Sequence, residues 1–198
     1  MSTPRFTLVA VVLVCVGLLG LRSARPLEAG TAVRMDVPEL VGGSDLIVDA
    51  LVLSARALET GPARIETEYE LAVGRTLLGA HLPQRTVRMP GGVLADGRGL
   101  VLAGVPRLLV GERVLLFLSQ PGADGMRMPV GLSQGKLRVQ VDARGALWLE
   151  RGQSSLRLIE AGSNAPARAD QGVRLAYGSV VERIESAVAQ RAARNNGR

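Results

Sequence analysis

Few side chains in this sequence could do chemistry. Lys136 is the single lysine among 24 basic residues, and it stands in "VGLSQGKLRV" between Gly131 and Leu137. A phosphate-cradling loop has the form G-x-x-x-x-G-K-[ST] and runs into a helix. Here Gly131 and Gly135 enclose only three residues, Leu137 replaces the magnesium-binding hydroxyl, and "LRVQVD" alternates as a strand. The stretch therefore reads as a turn and strand entry, with Lys136 solvated. "GLSQG" also fits G-x-S-x-G around Ser133, but a nucleophile elbow needs a strand-to-helix turn and a histidine base. His81 is the only histidine, and it lies in another loop.

Glu66, Glu68 and Glu70 form the one dense carboxylate group. Their alternation sets them about 6–7 Å apart along one strand face. Two carboxylates flanking a sugar bond, or oxygens converging on calcium, require a different arrangement. The expected role is a solvent-facing surface paired across strands with Arg85 or Arg88, each glutamate replaceable by glutamine. One histidine and one cysteine do not supply a zinc set. No cofactor, metal or catalytic residue is expected.

The elements carrying these residues are mostly strands. "MDVPELVGGSD" predicts a short helix capped by Asp36, with Glu39 completing a capping box and Gly42-Gly43 ending it. "LIVDALVLSARAL" (46–58) and "RIETEYELAVGRTL" follow as strands; in the second, Ile65, Thr67, Tyr69, Leu71 and Val73 share the apolar face. Further strands are predicted at 85–89, 99–104, 113–119, 135–142, 146–150 and 155–160, separated by Gly-, Asp- and Pro-containing turns. "VLLFL" is apolar on both faces and so should be central, with Phe117 buried. The last segment, 177–197, predicts a helix capped by Ser179 with Glu182 closing the box and a stripe of Val180, Val181, Ile184 and Val188, which docks on the strands. The expected fold is mainly β: a small closed or partly open antiparallel barrel, OB-like, with a short N-terminal and a C-terminal helix. The expected division is 1–32 leader, 33–160 barrel, 161–172 linker and 173–198 C-terminal helix.

Composition narrows the class. The 198 residues are 47% apolar, 3% aromatic and carry a net charge of +6. The arginines (Arg75, Arg85, Arg98, Arg113, Arg127, Arg144) are scattered rather than clustered, and stacking aromatics are scarce, which argues against nucleic-acid binding. Arg5 followed by the apolar run Phe6 to Leu21 reads as a secretory signal peptide, cut after Ala29 or Ala32. At 16 residues the run is shorter than the roughly 20 of a membrane span. Arg22 and Arg25 behind it keep an uncleaved anchor over residues 6–21 as the alternative. Cys15 sits inside the run, so the exported part, secreted or periplasmic, has no cysteine and must be held by its hydrophobic core.

The motifs "GVPRLLVGERVLLFLS" and "VGLSQGK", with "TEYELAV" and "VRMPGG" before them, resemble those of a family of exported bacterial proteins of uncharacterised function, over about Gly42 to Val141. The resemblance extends more distantly to netrin-like and TIMP-like domains, which are OB-fold barrels. It implies a protein-binding module, with a secreted protease as one implied partner. TIMP-like domains chelate zinc through an N-terminal cysteine, which this exported chain lacks. The expected function is thus an exported, non-enzymatic β-barrel module binding a protein partner in the envelope or outside. The alternatives are an inhibitor or intramolecular chaperone of a secreted metalloprotease, and a weak serine esterase at Ser133.

Overall fold

The structure, a computed structural model, describes residues 30–197. Of the leader expected over residues 1–32, residues 1–29 lie outside the described residues. No helix among those described is long and apolar enough to cross a membrane.

Two long strands form the centre. β2 (Leu46–Gly61) and β3 (Arg64–Leu78) make an antiparallel hairpin. β4 (Gln84–Pro90) joins the outer edge of β3, and β7 (Arg113–Leu118) joins the outer edge of β2. Beyond β7 come β8 (Lys136–Val141), β9 (Leu147–Arg151) and β12 (Val173–Ala176). The seven strands run β12-β9-β8-β7-β2-β3-β4, antiparallel throughout. A two-stranded ladder pairs β5 (Gly92–Val93) with β6 (Gly99–Leu100). A third sheet sets β1 (Thr31–Val33) parallel to β10 (Arg157–Ile159), which pairs with β11 (Arg168–Ala169).

The protein is mainly β, but the closed barrel is not found: β12 and β4 end the sheet without pairing to each other. The side-chain alternation explains why. In β7, Val114, Leu116 and Leu118 enter one core, while Leu115 and Phe117 enter another on the opposite face. The first core is built from β2, β3, β4 and β7 and is covered by Leu108 and Val105. The second uses β7, β8 and β9 beneath two helices. The halves of the sheet bury opposite faces, so there is no single interior to close around.

Both helices cover the second core. α1 (Val37–Gly43) begins at Asp36, whose carboxylate accepts from Glu39 N at 2.9 Å while Glu39 accepts from Asp36 N at 2.7 Å. α2 (Tyr177–Asn196) buries Val180, Val181, Ile184 and Ala187. Its N-cap is Ala176, not Ser179, and it has no side-chain cap. β12 runs directly into the helix, so the chain has already turned before Ser179, and residues 173–176 are strand rather than helix. Arg191 reaches back to Val41 O at 3.0 Å and Ser44 O at 2.5 Å, satisfying carbonyls at the end of α1.

Two other expectations are corrected. The strand predicted at 99–104 stops at Leu100. The following segment carries Gly104 and Pro106 and works as a cover: Leu108 is buried, whereas Val101, Leu109 and Val110 are 74, 56 and 62% exposed. In β3, Ile65, Thr67, Tyr69, Leu71 and Val73 are all buried, but Glu66 is too, at 3% exposure. Thr60, Arg64 and Arg88 close over it, and two guanidinium groups compensate its charge.

Candidate functional site

After β7 the chain makes a hairpin, with Ser119 N donating to Met128 O and Val130 N to Phe117 O. It then reverses through Gly131 and Leu132, whose φ values are +67° and +61°. For a leucine this conformation stores strain on the order of 1–2 kcal/mol. A short 3-10 helix, Leu132–Gly135, leads into β8. The glycines of "VGLSQGK" serve this turn rather than a phosphate. A Cβ at Gly135 would lie 2.3 Å from Val130 O, and Gly131 takes the left-handed position. Gln134 is fully buried: its amide nitrogen donates to Val33 O and Gly131 O, and its oxygen accepts from Met35 N, which ties β1 and the approach to α1 to the turn.

Ser133 lies on that helix and Lys136, in extended conformation, begins β8; both line the same cleft, with a volume of about 450 Å³. One wall is the segment from Val101 to Pro106, largely aliphatic, and the other is the turn from Arg151 to Ser155. Arg138 and Glu150, opposite one another on β8 and β9, complete the floor.

The cleft is held by two buried carboxylates. Glu112, 7% exposed at its side chain, accepts from Lys136 Nζ at 2.6 Å and from Leu109 N at 2.6 Å, and lies 3.4 Å from Arg138 Nε. Lys136 Nζ also donates to Arg107 O at 2.7 Å. Burial holds the Lys136 ammonium below the ordinary lysine range, against the opposing pull of Glu112. Lys136 is therefore not the solvated residue expected from sequence. It pins the Val101–Val110 segment to β8, helped by Leu108 N donating to the Tyr69 hydroxyl. On the other wall, Asp170 accepts from Arg151 at 3.1 Å, Ser154 Oγ at 2.9 Å and Gly172 N at 3.2 Å. The segment expected to be a linker thus carries β11 and a buried anchor.

Some polar groups at the cleft have no partner. Ser133 Oγ, Arg151 Nε and Glu112 Oε2 are buried and make no hydrogen bond, although Arg138 Nε lies 3.4 Å from the last of them. Buried polar groups are nearly always satisfied, so each orphan asks for a ligand or water. Ser133 has no histidine beside it: His81 is exposed, contacts Thr76 Oγ1 at 3.1 Å and does not line the cleft. The three glutamates do not converge either. Glu66 is held by Thr60 and Arg64, Glu68 pairs with Arg56 at 3.1 Å, and Glu70 accepts from Ser54. Arg88 does approach Glu66, at 3.8 Å, whereas Arg85 donates to Ala80 O. Among the described residues no three His, Cys, Asp or Glu side chains gather as a metal site.

No family model, curated protein or solved structure matches the chain.

Sequence reading brought Ser133 and Lys136 forward but missed Glu112, Arg138, Arg151 and Asp170. One signal was present. In a chain that otherwise uses arginine, a lone lysine marks a place where a compact head with three donors is needed and a planar fork does not fit.

Proposed function

We propose that this chain is an exported β-sheet module that binds a protein partner through the cleft between the Val101–Pro106 and Arg151–Ser155 segments. The observation that carries this reading is the unsatisfied polar capacity at Ser133 and Arg151 beside an exposed aliphatic wall. A concave surface with apolar lining and a few placed polar groups is the usual form of a binding site. Export rests on the leader, and the cut after Ala29 is the one that leaves β1 whole. The test places a photo-crosslinking amino acid at Leu102, and as a control at Arg56 on β2, in the exported protein of the producing cell. A discrete adduct from position 102 alone supports the reading; equal adducts from both positions, or none from 102, overturns it. Amino-terminal sequencing of the exported form is expected to begin at Gly30.

A further inference from the structure

Building on that binding reading, we propose that the cleft recognises the carboxyl-terminal end of a polypeptide whose last residue is aliphatic. Three features of the site combine in this choice. Arg138 projects from β8 with 44% of its side chain exposed, and its contact to Glu112 runs through Nε. The two terminal nitrogens are then the ones an incoming carboxylate meets, in the side-by-side geometry that suits a guanidinium fork. Ser133 Oγ and, on the Arg151–Ser155 wall, Arg151 Nε are buried without a partner and add donors to the same cleft.

The charges around this point decide the ligand's sign. Lys136 is engaged by Glu112 and Arg151 by Asp170, which neutralises both pairs locally. Arg138 and Glu150 remain, facing one another across the β8–β9 ladder. A chain end matches such a pair: its carboxylate meets Arg138 and its last amide N–H meets Glu150. A free inorganic anion would be repelled by Glu150 and would leave the aliphatic wall unused. The third feature is that wall. Val101 and Leu102 are 74 and 36% exposed, and with Val105 and Pro106 they offer apolar surface lining the same cleft as Arg138. An alkyl-chain acid would favour an enclosed apolar tunnel, whereas this cleft opens to solvent and is half polar.

The probe is a fluorescein-labelled pentapeptide, Gly-Ser-Ala-Ala-Leu, with its carboxyl end free, amidated, or replaced by Gly-Ser-Ala-Ala-Asp, titrated against the exported protein by anisotropy. The free leucine acid is expected to bind at least about tenfold more tightly than its amide, the loss of one charged hydrogen-bonded contact. Arg138→Gln is expected to remove that difference while the protein stays folded by circular dichroism, because Lys136 Nζ still holds Glu112. Leu102→Ser is expected to weaken the leucine acid and leave the aspartate peptide where it was. Equal binding of acid and amide overturns the inference, as does failure of every peptide to bind. If crosslinking through position 102 still traps a partner in those cases, the binding-module reading stands and only the chain-end chemistry falls.

Discussion

Asp49 and Tyr177, 128 positions apart, share a 2.6 Å hydrogen bond in which the phenol donates to Oδ2. Arg113 grips the same carboxylate through Nε and Nη2 at 2.8 and 2.7 Å, and its guanidinium lies 5.8 Å from the Tyr177 ring centroid. β2, β7 and the first turn of α2 meet at this one carboxylate. Asp49 is 1% exposed. Without these partners it would be an uncompensated charge beneath the helix. Replacing Asp49 by alanine is expected to cost about 3 kcal/mol, the lower end for a broken buried pair because Arg113 can still reach water. Tyr177→Phe is expected to cost about 2 kcal/mol. The double variant falls short of the sum, since both act on one network. Urea denaturation of the four proteins measures all three values, and strict additivity would separate the two residues.

The same contact has a pH signature. Burial, then the bond to Asp49 and its charge, push the Tyr177 phenol above its ordinary value of 10.0. A group whose folded pKa is raised contributes stability that is complete below its unfolded pKa and is lost as pH rises through the folded one. The stability gap between the parent and Tyr177→Phe is therefore expected to stay level below pH 10 and to narrow above it. Thermal melts of both proteins across the alkaline range give the comparison. A gap that widened there would contradict the phenol's role as donor.

Glu66 separates from its two neighbours in sequence. It is 3% exposed and held by Thr60 Oγ1 at 2.8 Å and Arg64 Nε at 3.1 Å, whereas Glu70 lies at the surface. Glu66→Gln is expected to cost about 1.5 kcal/mol, one charged hydrogen-bonded contact. Glu68→Gln and Glu70→Gln are expected to stay within about 0.5 kcal/mol. Equal losses at all three positions would return Glu66 to the solvent face.

That difference shows where reading the chain alone stops. Period-two alternation placed Tyr69, Leu71 and Val73 inward because each side of a strand has one environment over several residues. It put Glu66 outward by the same rule. What holds Glu66 is Arg64 two positions before it and Thr60 across the hairpin, with Arg88 approaching from β4; alternation alone does not tell that these neighbours close over the carboxylate. The two-sided apolar run of β7 was legible for the opposite reason: five buried residues in succession need a cover on each face, whatever supplies it. The open sheet was not legible, because alternation tells that both faces are buried without telling that the two cores lie on different halves. The cleft was half legible. Ser133 and Lys136 are neighbours in sequence, but Glu112, Arg151 and Asp170 join them only through pairings between β7, β8, β9 and the segment before β12.

Phe117 tests that central strand. It is fully buried in the second core, against the residues of both helices. Truncation to alanine is expected to cost about 3–5 kcal/mol, the transfer of the ring plus the cavity it leaves. Calorimetry that found a variant melting within a degree or two of the parent would mean that the helices collapse onto the gap.

Ser133 and Lys136, adjacent on one cleft, are expected to respond in opposite ways. Ser133 Oγ is buried with no hydrogen bond, so its polar group is a liability in the free protein. Removing an unsatisfied buried hydroxyl returns its desolvation penalty, and Ser133→Ala is expected to leave stability unchanged or raise it by up to about 1 kcal/mol. Lys136 is the reverse case. Its ammonium bridges Glu112 and Arg107 O, and Glu112 is 7% exposed at its side chain. Lys136→Met strands that carboxylate and is expected to cost about 3 kcal/mol. It also releases the Val101–Val110 segment, which hydrogen exchange at Leu109 N reads directly, since that amide donates to Glu112. Adding Glu112→Gln to Lys136→Met removes the stranded charge and is expected to recover part of the loss. Lys136→Arg is expected to fit poorly, because a planar fork cannot place donors on both acceptors from that distance. An esterase centred on Ser133 would give another pattern: turnover of activated short-chain esters, abolished by Ser133→Ala and reduced by Lys136→Met with the fold intact. A nucleophile needs a base within hydrogen-bond reach, and the amine nearest in the cleft is committed to a carboxylate and a carbonyl. Turnover lost on Ser133→Ala would therefore require the Lys136–Glu112 contact to open.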